Sequence, residues 1–300
     1  MQRRSTVRIY LEYLLARLIL ASLAWTPLGF ARRLAGFYAA LLDRAVPRLR
    51  RIALRNLELA LPELTAAERN RIIDGVFASI GRLLVALARF PRLNRNNIDR
   101  WIRYEGFEHF QEGLRRGKGV LFATAHLGNW ELSAFAHGLM AAPMHIVVRP
   151  LDNPKLDALI ERQRTLGGNR VIAKKDFARG ILRALAQNEA VGILIDQNTS
   201  LEEGAFVDFF GLPACAGLGF AKIAARSQAT VIPGFALWIE SEGRYVLRFY
   251  PAVEMCGDAV ADTQRLQKIV EDVIRQYPDQ WLWIHRRWRT RPPGEGPLYD

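Results

Sequence analysis

The residues best suited to chemistry stand in one short stretch, Thr124-Ala125-His126-Leu127-Gly128-Asn129-Trp130-Glu131. An imidazole that titrates near neutral pH is the side chain most able to take a proton from a hydroxyl. A carboxylate five residues on, at Glu131, can fold back onto one ring nitrogen, fix its tautomer and stabilise the imidazolium that forms. The other nitrogen is then free to act as general base. No serine or cysteine nucleophile stands in the stretch, so direct attack by a substrate hydroxyl is the simpler chemistry. The bare His-x4-Glu spacing is common by chance. A structural histidine, followed by a glutamate that complements a helix N-terminus, would have the same spacing. Context has to decide.

The context is a strand, a turn and a helix. Gly119–Ala125 (GVLFATA) is a near-continuous apolar run, as a buried parallel strand requires. Gly128 permits a tight turn. Residues 130–140 read as a helix with Glu131 in its first turn. In open α/β sheets, ligand sites collect beyond the carboxyl ends of strands, which is where His126 falls. Asp196 and Gln197 end a second buried strand, Val191–Ile195. They read equally as site residues or as a cap for the following loop. Arg149 ends a third, His145–Val148. Its guanidinium could bind a phosphate or polarise a carbonyl, or form a salt bridge to Asp152 or Asp196. Gly211 and Pro213 read as a turn, either purely structural or bordering a substrate pocket.

Further strands are expected at Thr230–Ala236 and Tyr245–Tyr250, and helices at Asn153–Leu166, Phe177–Gln187, Gly217–Arg226 and Asp262–Tyr277. Such alternation predicts an α/β sheet with helices on both faces.

The N-terminal part is helical in pattern. Residues 7–31 are rich in Leu, Ile and Ala, but Arg8, Glu12, Arg17 and Pro27 interrupt them. The longest uncharged run, Leu18 to Ala31, falls short of the ~20 residues of a membrane span. A tilted helix with a snorkelling Arg17 could still span, and a buried core helix is the competing reading. Arg3, Arg4 and Arg8 precede the segment and Arg32 and Arg33 follow it, so loop charge sets no orientation. In residues 47–61 an apolar face of Leu49, Ile52, Ala53, Leu57 and Ala60 opposes Arg48, Arg50, Arg51 and Arg55. Such a helix can lie on an anionic bilayer or dock on its own domain. Thr65-x-x-Glu68 is a capping box opening a helix that Pro91 stops.

A net charge of +12 suits nucleic acid, an anionic membrane or a phosphorylated ligand. Cys215 and Cys256 show no disulfide or metal spacing, and His109, His137 and His145 lack metal-ligand spacing, so no metal is expected. The terminal block Trp281, Trp283, His285, Arg286, Arg287, Trp288, Arg289 could bind anionic headgroups or sugar phosphates. It could equally be local arginine–tryptophan packing. Single-stranded nucleic acid ranks below both, since no recognised binding module accompanies the block.

The stretch AHLGNWE resembles the lysophospholipid acyltransferase superfamily and, within it, the late acyltransferases of lipid A biosynthesis (lauroyl/myristoyl type). The resemblance extends to Arg55-Asn56-Leu57 with Leu61-Pro62-Glu63, Arg149-Pro150-Leu151-Asp152-Asn153-Pro154, Ile195-Asp196-Gln197-Asn198, Phe209-Phe210-Gly211 with Pro213, and residues 278–288 (PDQWLWIHRRW). It implies a glycerolipid acyltransferase-like fold: a mixed, mostly parallel sheet flanked by helices. It also implies transfer of a fatty acyl chain from an acyl carrier protein thioester to a hydroxyl of a lipid A precursor, with His126 and Glu131 as the catalytic dyad.

With it go the further expectations. Asn129, Arg149, Asp196, Gln197, Arg286 and Arg287 bind substrate, no cofactor is used, and nucleic acid is not a partner. Residues 1–45 form a membrane-associating helical region and 46–300 the acyltransferase domain. The chain sits at a bacterial inner membrane with its site on the cytoplasmic side. The rival expectations are a different acceptor, such as a mannosylated inositol lipid or an ornithine lipid, and a non-catalytic basic membrane-binding relative. The intact His126–Glu131 pair argues against the last.

Overall fold

The computed structural model describes residues 5–173 and 177–299; Arg3 and Arg4 lie outside them. Strands β1 (Ile102–Glu105), β2 (Val120–Thr124), β3 (Met144–Val148), β4 (Arg170–Ala173), β5 (Ala190–Leu194), β8 (Thr230–Ile239) and β9 (Arg244–Phe249) form one sheet in the order β1-β9-β8-β2-β5-β3-β4. The pairs around β2, β3, β4 and β5 are parallel, and β8 is parallel to β2. Strand β9 runs antiparallel to β8, with β1 parallel to β9. The expected mixed, mostly parallel α/β sheet is what the chain forms.

Strand β2 is apolar throughout because both its faces are covered. Val120 and Phe122 pack with α5 (Phe107–Arg115), α6 (Trp130–Met140) and the C-terminal end of α4 (Ala66–Arg89). Leu121 and Ala123 pack on the opposite side with α8 (Phe177–Ala186), α9 (Gly219–Ser227) and Leu266 of α10 (Ala259–Gln276). The short elements β1, α5 and β4, and the hairpin β6 (Gly204–Phe209)–β7 (Leu212–Gly217), have no signal in the sequence pattern strong enough to name them. The hairpin turn is Phe210–Gly211, both at positive φ, as a two-residue turn requires. It packs on α10, where Glu271 accepts the Phe210 N–H, and neither Gly211 nor Pro213 lines the cavity described below.

The N-terminal segment is two helices. Pro27, with its fixed φ, breaks it into α1 (Thr6–Trp25) and α2 (Leu28–Ala45). Both pack on α4. Arg89 donates to the carbonyls of Leu23 and Thr26 at the α1 C-terminus, and buried Asn153 donates to the carbonyl of Ile9 and to Glu12. Glu12, which spoiled the segment as a span, is thus a tether to α7 (Pro154–Thr165). Among the described residues no helix is long and apolar enough to cross a membrane. Helix α3 (Pro47–Ala60) docks on its own domain: Ile52, Ala53, Leu57 and Ala60 are buried, and Asn56 donates to the carbonyls of Trp283 and His285.

Candidate active site

Two neighbouring strands deliver the central pair. Thr124 and Leu194 are register partners in β2 and β5, so the residues two places beyond them, His126 and Asp196, meet past the strand ends. Asp196 Oδ1 lies 2.9 Å from His126 Nδ1, and Oδ2 accepts the His126 backbone N–H at 3.0 Å and the Trp281 indole N–H at 2.8 Å. The carboxylate is buried and fully engaged. Burial opposes its ionisation, but the His126 charge and these hydrogen bonds outweigh that and hold its pKa at about 2. Burial also pulls the His126 pKa down. The Asp196 charge and hydrogen bond, with a smaller contribution from Glu131, outweigh it and set the pKa above the ordinary 6.5. An Nδ1–H donated to Asp196 leaves Nε2 as the basic nitrogen. The imidazole stands edge-to-face on Trp130, centroids 5.0 Å apart.

The hydrogen-bonded partner of His126 is therefore Asp196. Glu131, expected to orient the ring, forks instead with Arg164 of α7, with Nε to Oε2 at 2.9 Å and Nη2 to Oε1 at 2.5 Å. The reason is geometric. Glu131 leaves the first turn of α6 on the side facing the end of α7, whereas Asp196 sits opposite His126 by strand register. Glu131 reaches the imidazole through its charge alone.

The loop that carries His126 is held from behind. Gly128 has φ +64°, and a Cβ there would stand 1.9 Å from the Ala236 carbonyl oxygen, so only glycine fits. The Gly128 N–H donates to Gln280, the Asn129 N–H to Ala236, and Leu282 donates to the His126 carbonyl. Asn129 is buried and caps α6 through Leu132 N–H. The 278–288 block is thus a structural backing. Trp281, Trp283 and Trp288 are buried, and they do not reach headgroups.

Arg287, expected to bind substrate, is fully buried, and donates to the Cys215 carbonyl at 2.8 Å and to Gln267 at 3.0 Å. Both of its terminal nitrogens are spent on this strut, and burial, against the opposing charge of Asp196, lowers its pKa to about 10. Arg286 lines a separate basic cleft with Arg48, Arg51 and Arg55. Arg149 is exposed just past β3, and both oxygens of Asp196 are taken by other groups. Gln197 is exposed and lines a different cleft, with Thr199 and Lys222.

Beside Trp130 and the Glu131–Arg164 pair opens a narrow cavity of about 60 Å³ between α6 and the sheet. Its walls are apolar, from Phe122, Met144, Ile146, Val148, Leu194, Leu247 and Phe249, with room left by Gly192 and Gly234. The lining is that of a site for an apolar ligand. His137 also lines it, caged by Phe110, Phe122 and Phe249 at centroid distances of 4.6, 5.2 and 6.0 Å. Burial lowers its pKa to about 4, so it is a neutral, space-filling ring. Arg164 and His137 were not legible as site residues: Arg164 meets Glu131 across 33 residues of chain, and His137 is one residue among many on a helix.

Residues 1–290 match the family model described as bacterial lipid A biosynthesis acyltransferase. The chain is 31% identical over 255 residues to the lipid A biosynthesis lauroyltransferase of Escherichia coli, covering 84% of this chain and 82% of the relative. It is 30% identical over 251 residues to the palmitoleoyltransferase of the same organism, covering 83% and 81%. A lipid A biosynthesis acyltransferase of Haemophilus influenzae is 26% identical over 278 residues, covering 93% and 87%. The chain belongs to the bacterial lipid A biosynthesis acyltransferase family and is an acyltransferase of groups other than amino-acyl groups.

Proposed function

We propose that the protein moves a fatty acyl chain from an acyl carrier protein thioester to a hydroxyl of a lipid A precursor, with His126 as general base. The observation that carries this reading is the His126–Asp196 hydrogen bond next to Trp130, which lines an apolar cavity. Nε2 takes the proton of the acceptor hydroxyl. The oxygen attacks the thioester carbonyl, the C–O bond forms, the C–S bond breaks, and the imidazolium returns the proton to the departing thiolate. The Trp130 and Glu131 amides open α6 and find no protein acceptor among the described residues, so they suit a developing oxyanion. Arg164 lines the same cavity and holds the Glu131 carboxylate in place. Asp196 orients the base, and Glu131 contributes charge.

The test is mass spectrometry of products from the purified protein, a panel of acyl carrier protein thioesters and lipid A precursors. A variant sharpens it. The Cβ of a residue at 234 would lie 3.9 Å from both Phe122 and Phe249, in ordinary contact and directed at the cavity wall. Gly234→Leu is expected to shift the preferred acyl chain shorter by a few carbons while retaining turnover with short donors. An unchanged chain-length profile would remove the cavity from acyl binding.

The site of action in this reading is the cytoplasmic face of a bacterial inner membrane, reached without a span. Val7, Leu11, Leu14, Leu15 and Leu18 of α1 are each more than half exposed at helical spacing, as are Phe30, Phe37 and Leu41 of α2. An exposed apolar stripe with flanking arginines is the pattern of a helix lying in the bilayer interface. The free cysteines, Cys215 and Cys256, accord with a reducing compartment. Deleting α1 would expose the buried Leu23 and strip Arg89 of its carbonyl partners. Point changes test the stripe more cleanly. Leu11→Glu with Leu18→Glu is expected to move most of the protein from sedimenting anionic vesicles to the supernatant, with its thermal unfolding unchanged. Continued sedimentation would assign the anchoring to another surface.

A further inference from the structure

A second cleft, of about 240 Å³, opens at the same rim of the sheet as His126, one strand over. It is formed where α2 and α4 cross the end of β8 and the start of β9 and β1. Arg32, Arg82 and Arg100 line it, with Trp238 and Tyr245. The Arg32 and Arg82 guanidiniums lie 5.7 and 5.3 Å from the Trp238 ring. The chain pairs its arginines freely elsewhere, as in Arg50 with Asp43 and Arg164 with Glu131. Among the described residues no carboxylate pairs with any of these three. The acidic groups nearby are engaged: Glu242 holds Arg103 and Arg244, and Glu240 accepts the Trp238 indole N–H.

The buried polar atoms here point the same way. The Tyr245 hydroxyl lines the cleft, is almost wholly buried and lies within hydrogen-bond reach of Arg82 and Asn129. As acceptor for those two groups it still has its own O–H to donate. Three cations without a carboxylate partner beside that hydroxyl suit a ligand rich in acceptors and negative in charge. A phosphate answers both needs, because it offers several acceptor oxygens to a planar guanidinium fork. A single water does not answer the charge.

We propose that this cleft binds a phosphate carried on the acyl-acceptor lipid, through Arg32, Arg82 and Tyr245, an inference that rests on the acceptor chemistry proposed above. Its position suits the role. Arg32 stands on α2, the helix whose exposed Phe30 and Phe37 face lipid in that reading. Asn129, beside Tyr245, caps the helix that follows His126 by four residues. A phosphate seated here would fix where the acceptor's hydroxyl lies relative to Nε2. The sequence directs attention instead to Arg149 and Arg286–Arg287 for this task, and Arg287 is buried in a strut.

The experiment compares Arg82→Gln, Tyr245→Phe and the exposed-residue variants Arg32→Gln and Arg100→Gln in the full chain. Steady-state kinetics use a phosphorylated lipid A precursor and its enzymatically dephosphorylated analogue. The expected result is a rise of about 10–100-fold in KM for the phosphorylated acceptor, little change for the dephosphorylated one, and no change in KM for the thioester. Binding of inorganic pyrophosphate, read by calorimetry, should weaken in parallel. Equal effects on both acceptors, or none, would return Arg32 and Arg82 to simple stacking on Trp238. If Arg82→Gln fails to fold, Arg32→Gln and Arg100→Gln decide. Normal acyl transfer without phosphate dependence would sink this site and leave the function standing. Pyrophosphate binding lost in these variants, in a protein that acylates no precursor, would do the reverse.

Discussion

His126→Ala is expected to lower kcat/KM by about 10²–10⁴-fold, the usual contribution of a general base. That corresponds to about 3–5 kcal/mol of transition-state stabilisation. Two consequences separate chemistry from folding. Alanine keeps the backbone N–H that donates to Asp196 Oδ2 at 3.0 Å, so the loop retains one anchor. It also strands Oδ1 of a buried carboxylate, which costs stability. His126→Gln, whose amide can donate towards Oδ1, is expected to recover part of the melting temperature and none of the activity. In the unaltered enzyme the base must be neutral. With the His126 pKa raised above 6.5 by Asp196, kcat/KM should climb through an acid limb whose midpoint lies above that value. Wild-type turnover in the purified His126→Ala protein would remove the imidazole from the mechanism.

Asp196→Asn is expected to be nearly as damaging although it changes one atom. Oδ2 accepts two N–H donors, from His126 and Trp281, while Oδ1 faces Nδ1. An amide in that pocket keeps its oxygen towards the two donors. Its NH2 then faces Nδ1 and makes it an acceptor, which drives the imidazole proton to Nε2. The nitrogen that should take the substrate's proton already carries one. The same substitution in a Ser-His-Asp triad lowers kcat by ~10⁴ for this reason, and a loss of about 10³-fold or more in kcat is expected here. The pH profile carries a second signature. Without the Asp196 charge the His126 pKa falls, so the acid limb of the residual activity moves to lower pH. Stability has its own sign. Asp196 titrates at about 2, below the ordinary 3.8. Its ionised form therefore stabilises the wild type above pH ~4, and that contribution is lost as pH falls towards ~2. The gap in unfolding free energy between wild type and Asp196→Asn should narrow over that window. An unchanged acid limb in the variant would show that the carboxylate does not tune His126.

The sheet was legible because β2 and β5 are mostly buried and are written as apolar runs, and α4 and α10 carry their apolar residues at helical spacing. The site's location followed from the same pattern, since the strand ends at 124 and 194 point at His126 and Asp196. Helix ends were legible where local chemistry sets them, as in the Thr65–Glu68 capping box. All these are effects of neighbours in sequence.

Pairing at the site was not legible, because it depends on register and crossing angle. Local spacing offers Glu131 to His126, but the β2–β5 register brings Asp196 to it and leaves Glu131 to Arg164. The basic residues show the same division. Charge and aromatic content alone make Arg287 and the terminal tryptophans look like a ligand surface, whereas packing buries them behind the catalytic loop. The unpaired arginines collect instead from residues 32, 82 and 100, on elements that only the tertiary fold brings together. Residue type and periodicity determine which strand ends carry reactive groups. Which of those groups touch is decided by long-range packing, because a hydrogen bond is made or lost over less than an ångström and no local pattern encodes that distance.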